Sequence, residues 1–162
     1  MNIRTMTPED IPQVAKIEQH TFSLPWSEKG FADALEMEDN IFLVAEQSSE
    51  ASDAGKERRV AGYIGMYVSF DEGEITNVAV EEEARSHGVG KLLVSCAKIE
   101  AQRRGVCRIV LEVRVSNTPA ISLYQKEGFR ILGTRRDFYE LPREDAYIMA
   151  WETGGAEGTR IG

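Results

Sequence analysis

Cysteine and histidine are scarce in this chain, with two of each among 162 residues. Cys96 and Cys107 form no CxxC pair and no cluster with the histidines, so neither a zinc site nor a disulfide framework is expected. They read as two small buried thiols in a reducing compartment. Long apolar runs are also missing. No stretch approaches the roughly 18 apolar residues that a membrane span needs. The opening MNIRTMTPEDIPQ carries charge and prolines where a secretory signal would need its apolar segment. The chain is expected to be soluble and cytoplasmic. Positive charge is in deficit: 19 Lys and Arg face 27 Asp and Glu, a net charge of −8. That field repels nucleic acid and favours a basic partner. Membrane and direct nucleic-acid partners are therefore not expected.

What remains is an ordinary globular composition, 42% hydrophobic and 28% charged. The length suits one domain, placed at residues 1–152. Within it the polar stretch SSEASDAGKERR, residues 48–59, reads as a mobile loop, and the glycine-rich tail 153–162 reads as disordered. Asn2 to Met6 reads as a strand. Thr7, Pro8 and Asp10 form a helix-start pattern before an apolar stripe of Ile11, Val14, Ala15 and Ile17. Ser27 caps a second short helix whose Phe31, Ala34 and Leu35 face inward. IFLVAEQ, VAGYIGMYVSF and GEITNVAVE read as strands, with DEGE as a turn. A helix follows from about Gly88 to Arg104, with Val89, Leu92, Leu93, Cys96 and Ile99 on one side and Gly105 ending it. CRIVLEVRV reads as a central strand, SNTPAISLYQKEGF as a helix, and FRILGTRRDFY and EDAYIMAWE as the last strands. A long helix between two apolar strands implies a parallel crossover, whereas the early strands are joined by turns and should be antiparallel. The expected architecture is α/β: a mixed sheet with helices on both faces.

The stretch ARSHGVGKLL, from Ala84 to Leu93, opens the central helix with glycines. A P-loop would need Ser or Thr where Leu92 stands and glycine where Arg85 stands. A dinucleotide fingerprint would need a third glycine where Leu93 stands. The remaining pattern is R-x-x-G-x-G, Arg85 to Gly90. Consecutive N–H groups in such a loop converge on one centre, and the helix N-terminus adds partial positive charge. A tight strand-to-helix turn is the alternative use of the same glycines.

This motif and its flanks, NVAV…ARSHGVGKLL, resemble the acetyl-CoA site of the GNAT family of N-acetyltransferases. SLPWSEKGF, LEVRVSN, AISLYQKEGF, RRDFY and EDAYIMA are similar to its RimI branch, which acetylates the N-terminal alanine of a small-subunit ribosomal protein. The resemblance runs from Asn2 to about Glu152, and implies the GNAT fold, a mixed sheet of about seven strands with about four helices. It implies acetyl-CoA as cosubstrate and the N-terminal peptide of a ribosomal or other protein as acceptor. It places the pyrophosphate at Arg85, His87, Gly88, Val89, Gly90 and Lys91 or their backbone. It places the pantetheine arm along Val78, Ala79 and Val80, near Asn117, in the manner of an added strand.

Acetyl transfer needs a neutral amine, a proton for the leaving thiolate and a donor for the carbonyl oxygen. An α-amine, with a reference pKa of about 7.7–8.0, needs only a modest base. Glu112 interrupts an apolar strand and shares a face with Val110 and Arg114. From the residues alone it is either paired with Arg114, exposed, or catalytic; the resemblance makes it the general base. Tyr124 is a core aromatic by its neighbours Ile121, Leu123 and Phe129, and the thiolate's acid by the family's LYxxxGF motif. Trp26 either walls the acceptor pocket or joins the core, and Tyr139 either bonds the peptide or sits in the core. No metal is expected, and neither cysteine lies in a nucleophile motif, so direct attack in a ternary complex is implied. A GNAT enzyme with a broader peptide, lysine or small-amine acceptor is the first rival. A non-catalytic acyl-CoA-binding module is the second, and a dinucleotide-dependent oxidoreductase is more distant.

Overall fold

The computed structural model describes residues 1–48 and 58–153. The segments read as a mobile loop and a disordered tail fall largely in 49–57 and 154–162, outside the described residues. Strand pairing reaches to Ser48 on one side and starts at Arg58 on the other, so the ends of the 48–59 stretch are strand.

Strand β1, Asn2–Thr5, leads through a 3₁₀ turn at Pro8–Asp10 into helix α1, Ile11–Thr21. Thr7 and Asp10 form the capping box that the sequence announces, and Asp10 accepts the Thr7 N–H at 2.8 Å. Helix α2, Glu28–Leu35, starts where the Ser27 hydroxyl accepts the Gly30 N–H. Strands β2 (Ile41–Ser48), β3 (Arg58–Ser69) and β4 (Glu72–Val80) follow. Helix α3 (Val89–Arg103) crosses over to β5 (Arg108–Arg114). Helix α4 (Thr118–Lys126) and strands β6 (Arg130–Glu140) and β7 (Arg143–Glu152) complete the chain.

The seven strands form one sheet in the order β1-β2-β3-β4-β5-β7-β6. All neighbours are antiparallel except β4 and β5, which the α3 crossover makes parallel. That one parallel pair is short. It joins Glu72–Glu74 to Arg108–Val110 and then stops, although both strands continue. The sheet therefore opens in the middle between the C-terminal halves of β4 and β5. The bulge between Gly65 and Met66 on β3, opposite Thr76, bends β4 at the point where the strands part.

Two apolar cores lie on opposite faces. One packs α1 and α2 on β2 and β3 through Val14, Ile17, Phe31, Val44 and Tyr63. The other packs α3 and α4 on β3, β4, β5 and β7 through Ile64, Leu93, Ala97, Leu111 and Met149. The α3 face differs from the expected one. Val89, Leu93, Val94, Ala97 and Ala101 are buried, whereas Leu92 and Ile99 are 44% and 58% exposed. The small alanines set the helix close to the sheet and rotate its larger outer residues toward solvent. The turn before β4 is also shorter than DEGE: it is made at Phe70 and Asp71, and Glu72 already pairs with Ser69.

Candidate active site

The opening between β4 and β5 is the mouth of a cleft of about 730 Å³. Its walls come from three places: the α1–α2 connection (Phe22, Leu24, Trp26), the parted strands, and the end of the β6–β7 hairpin. Val78, Glu112, Asn117, Tyr124, Trp26 and Tyr139, chosen from the sequence, all line it.

At one end the cleft lining reaches Val78, and the other expected cofactor residues except Asn117, from Ala79 to Lys91, follow from it beyond the lining. Val78, Ala79 and Val80 pair with Ile64, Tyr63 and Gly62 of β3 and have no strand partner on the β5 side. The chain then turns through 81–88 into α3. Ser86 and Gly88 have φ of 68° and 78°, and a Cβ on Gly88 would meet no atom within 4 Å, so an open, left-handed backbone faces outward there. The first N–H groups of α3 have no helical acceptors and are free to hold an anion. Arg85 Nε donates to the Val80 carbonyl at 3.0 Å, which ties the loop to the strand edge. His87 Nδ1 lies 2.8 Å from the Arg85 carbonyl, and His87 and Lys91 are exposed. The Val89 side chain is buried in the core, so only its backbone is available. Gly90 lets α4 approach: a Cβ there would lie 3.2 Å from the Leu123 methyl. Asn117 caps α4, its carbonyl accepting the Ala120 N–H at 3.3 Å.

The other end is bounded by side chains. On β5 the residues alternate, with Ile109, Leu111 and Val113 in the core and Val110, Glu112 and Arg114 on the opposite face. The expected parity holds, but the Glu112–Arg114 pair that the strand spacing allows does not form. The Glu112 side chain is 20% exposed and lies 3.8 Å from Arg135 Nε of β6, while Arg114 pairs with Glu144 of β7 at 3.3 Å. Glu74, on β4, has its carboxyl raised above the usual range by burial and by Glu112.

Tyr124 belongs to the core and also reaches the cleft. It packs against Phe129 at a ring distance of 5.7 Å within the core, and it lines the cleft. Its hydroxyl has no hydrogen-bond partner among the described residues and is not sealed from solvent, so it opens on the cleft. Burial pushes its phenol well above the ordinary value. Trp26 likewise serves the core and the wall, stacking near Phe31, Phe42 and Tyr67. Tyr139 is pushed up to about 12, by burial first and then by Glu112, although Arg114 stands over its ring at 4.3 Å.

Two cleft-floor residues, Glu18 and Asn77, and the buried Tyr63 that bonds to Glu18 were not singled out from the sequence. Glu18 is only 2% exposed. It accepts the Tyr63 hydroxyl and, at 3.2 Å, the Asn77 amide on one oxygen, and the Trp26 N–H at 2.9 Å on the other. The signal was present, since Glu18 falls three and four residues after Ala15 and Val14 on the apolar stripe of α1. A carboxyl at a core position needs several donors, and here β3, β4 and the α1–α2 connection each supply one.

Residues 11–129 match the model of the acetyltransferase (GNAT) family. A putative ribosomal protein bS18-alanine N-acetyltransferase of Bacillus subtilis is 37% identical over 152 residues, covering 93% of this chain and 94% of the relative. The crystal structure of the ribosomal-protein-S18-alanine N-acetyltransferase from Escherichia coli superposes with a TM-score of 0.78 at 34% identity, covering 93% of this chain and 92% of that one. Arabidopsis thaliana NAA60 in complex with acetyl-CoA has the same fold, with a TM-score of 0.82 at 20% identity over 95% of this chain and 99% of that one. With a family match spanning most of its length and a sheet that parts between β4 and β5, the chain belongs to the GNAT family of acetyltransferases.

Proposed function

We propose that this acetyltransferase moves the acetyl group of acetyl-CoA to the N-terminal α-amino group of a protein, and that its acceptor is the N-terminal alanine of a small-subunit ribosomal protein. The observation that carries the reading is that Glu112 and Tyr124 reach one cleft from opposite faces of the parted sheet. The Bacillus subtilis and Escherichia coli relatives, named as ribosomal protein bS18-alanine N-acetyltransferases, the first of them putatively, support the acceptor.

The cofactor end fits coenzyme A. The free edge at Val78–Val80 suits the amide-bearing arm, and the open backbone at Gly88 with the α3 N-terminus suits the diphosphate. In this assignment Arg85 and Lys91 add positive charge around the backbone donors, His87 stands beside them, and Asn117 lies beside the arm. Acetyl-CoA supplies the activated acetyl thioester. Glu112 takes the proton from the acceptor ammonium, directly or through one water. Tyr124 holds its proton at neutral pH because burial disfavours its phenolate. The same burial disfavours a bare thiolate, so the proton passes to the sulfur as charge develops there. Tyr139 stays protonated and can donate to the acceptor backbone, and Trp26 walls the first residue.

No helix among the described residues is long and apolar enough to cross a membrane. We place the reaction in the cytoplasm, where a ribosomal acceptor is made and free thiols persist.

The test is a panel of peptides incubated with acetyl-CoA and read by mass spectrometry. It includes an Ala-starting ribosomal N-terminus, the same peptide with other first residues, and an N-blocked peptide with an internal lysine. Acetylation of the Ala peptide at its α-amine is the expected outcome. Preference for the lysine side chain overturns the reading. Equal use of many first residues points instead to a broad N-terminal acetyltransferase, which the 28% identity to the Thermoplasma volcanium Ard1 structure favours as the second reading.

A further inference from the structure

The outer part of the β6–β7 hairpin walls the acceptor end, yet it has no apolar anchorage of its own, the buried residues of the hairpin lying further along β7 at Ala146, Met149 and Ala150. Tyr139, Glu140, Leu141 and Pro142 line the cleft. Neither hydrophobic core includes a residue between 130 and 145. The hairpin is also irregular: its register slips between Arg135 and Tyr139, and Asp137 has φ of 53°. Strand pairing alone specifies register weakly in such a segment. Something else must fix where its tip stands.

Asp145 holds the irregular stretch by accepting the Asp137 N–H at 2.8 Å, and the tip itself is tied to β5 by Arg114. Arg114 Nη1 donates to the Pro142 carbonyl at 2.8 Å and Nη2 to the Leu141 carbonyl at 3.1 Å. Nη1 also lies 3.3 Å from Glu144 Oε1, and the guanidinium carbon stands 4.3 Å from the centre of the Tyr139 ring. Glu144 turns its other oxygen back to the Ser116 N–H at 2.8 Å, at the end of β5. A planar fork with five donors can make all these contacts at once. Arg114 is on β5, two residues from Glu112 and on the same face.

We propose that Arg114 is a positioning residue for the acceptor: it ties the strand that carries Glu112 to the tip of the hairpin, and so sets the distance between the base and the peptide wall. The inference rests on the reading that the acceptor amine meets Glu112 in this cleft. It predicts a selective defect. Without the clamp the wall is free to drift, and misplacement on the scale of 1 Å can cost up to about 100-fold in rate. The cofactor end does not depend on the hairpin and should be untouched.

The experiment compares wild type, Arg114→Met and Arg114→Lys in steady-state kinetics, varying peptide and acetyl-CoA separately, with Tm measured on each. The expected result is an acceptor KM raised about tenfold or more in both variants, acetyl-CoA KM within about twofold of wild type, and Tm nearly unchanged, since no apolar core is disturbed. Lysine should not rescue, because a point charge cannot bridge two carbonyls, a carboxylate and a ring. An unchanged acceptor KM in Arg114→Met overturns the inference. So does full rescue by lysine, which would make Arg114 a charge and not a clamp, and so does an equal rise in both KM values, which would mark a general loss of structure. If wild type prefers a lysine-bearing peptide, the function reading fails, and the clamp is judged on the KM of that peptide.

Discussion

At the end of the cleft assigned to coenzyme A the protein presents chiefly main chain: the free edge of β4, a left-handed loop and the first turn of α3. At the end assigned to the acceptor it presents side chains, several of them held by groups from distant parts of the chain. Glu18 is held from β3, β4 and the α1–α2 connection, and Arg114 spans from β5 to the β6–β7 turn. The difference matches what each end must recognise. A diphosphate and a chain of amides are constant, and backbone N–H and C=O groups suffice for them. An amine that must be selected and deprotonated requires placed carboxyl and hydroxyl groups. Side-chain truncations should therefore damage the acceptor end, and backbone changes the cofactor end.

The largest effect should come from the groups proposed to move protons. Tyr124→Phe removes only a hydroxyl, so the core contact with Phe129 survives. Its kcat should fall about 100-fold or more, with acetyl-CoA affinity unchanged by calorimetry. Glu112→Gln should lose a similar factor in kcat/KM for the peptide, with the loss concentrated below pH 8, where a reference α-amine is still largely protonated at about 7.7–8.0. In wild type, activity should rise as pH passes through the amine's range. It should not fall again below about pH 10, because burial raises the Tyr124 phenol above its ordinary value and keeps the proton on. A descending limb centred near pH 8 or 9 in a pH–rate profile would remove Tyr124 as the acid.

Next comes the floor. Glu18→Ala strips the acceptor from the Tyr63 hydroxyl, the Asn77 amide and the Trp26 N–H, all in a buried place. Unsatisfied buried donors cost about 1–3 kcal/mol each, and partial rehydration through the cleft limits the sum to about 3 kcal/mol. Thermal unfolding should move down by about 6–12 °C on that basis. This contrasts with the near-constant Tm expected for Arg114→Met. The two acceptor walls would thereby be distinguished, one built into the core and the other clamped from outside.

The same contrast explains what could be read from the sequence. Elements whose signal is periodic or local were legible: the Thr7–Asp10 capping box, the β5 alternation and the glycine-bearing turn into α3. Backbone sites announce themselves, because glycine is the residue favoured at a left-handed turn such as the one at Gly88. The face of α3 was misjudged because alanine gives little hydrophobic contrast, and Leu92 and Ile99 outweighed Ala97 and Ala101 in the count. The partners of Glu112 and Arg114 were not legible either. Spacing along one strand cannot show that β6 and β7 bring Arg135 and Glu144 to them, since those contacts exist only once the hairpin has folded over β5. Glu18 was hidden for a different reason. Its position on the apolar stripe was visible, but its donors come from β3, β4 and the turn after α1.

A smaller effect is expected at the cofactor loop, and its kind matters more than its size. Gly88→Val forces a β-branched residue to φ of 78°, although there is room for the side chain. The left-handed conformation costs such a residue about 1–2 kcal/mol, enough to raise acetyl-CoA KM by about five- to thirtyfold while peptide KM stays put. Lys91→Ala, on the same loop, removes an exposed side chain and leaves the backbone intact. If the anion is held by N–H groups, this variant loses only a screened Coulomb attraction. Its acetyl-CoA KM should rise about twofold at low ionic strength and return to wild type at about 1 M salt, where the Debye length falls to about 3 Å. A defect in Lys91→Ala that persisted undiminished in high salt, and exceeded that of Gly88→Val, would mean that the cofactor end recognises its ligand by side chain as well. The division between the two ends of the cleft would then be gone.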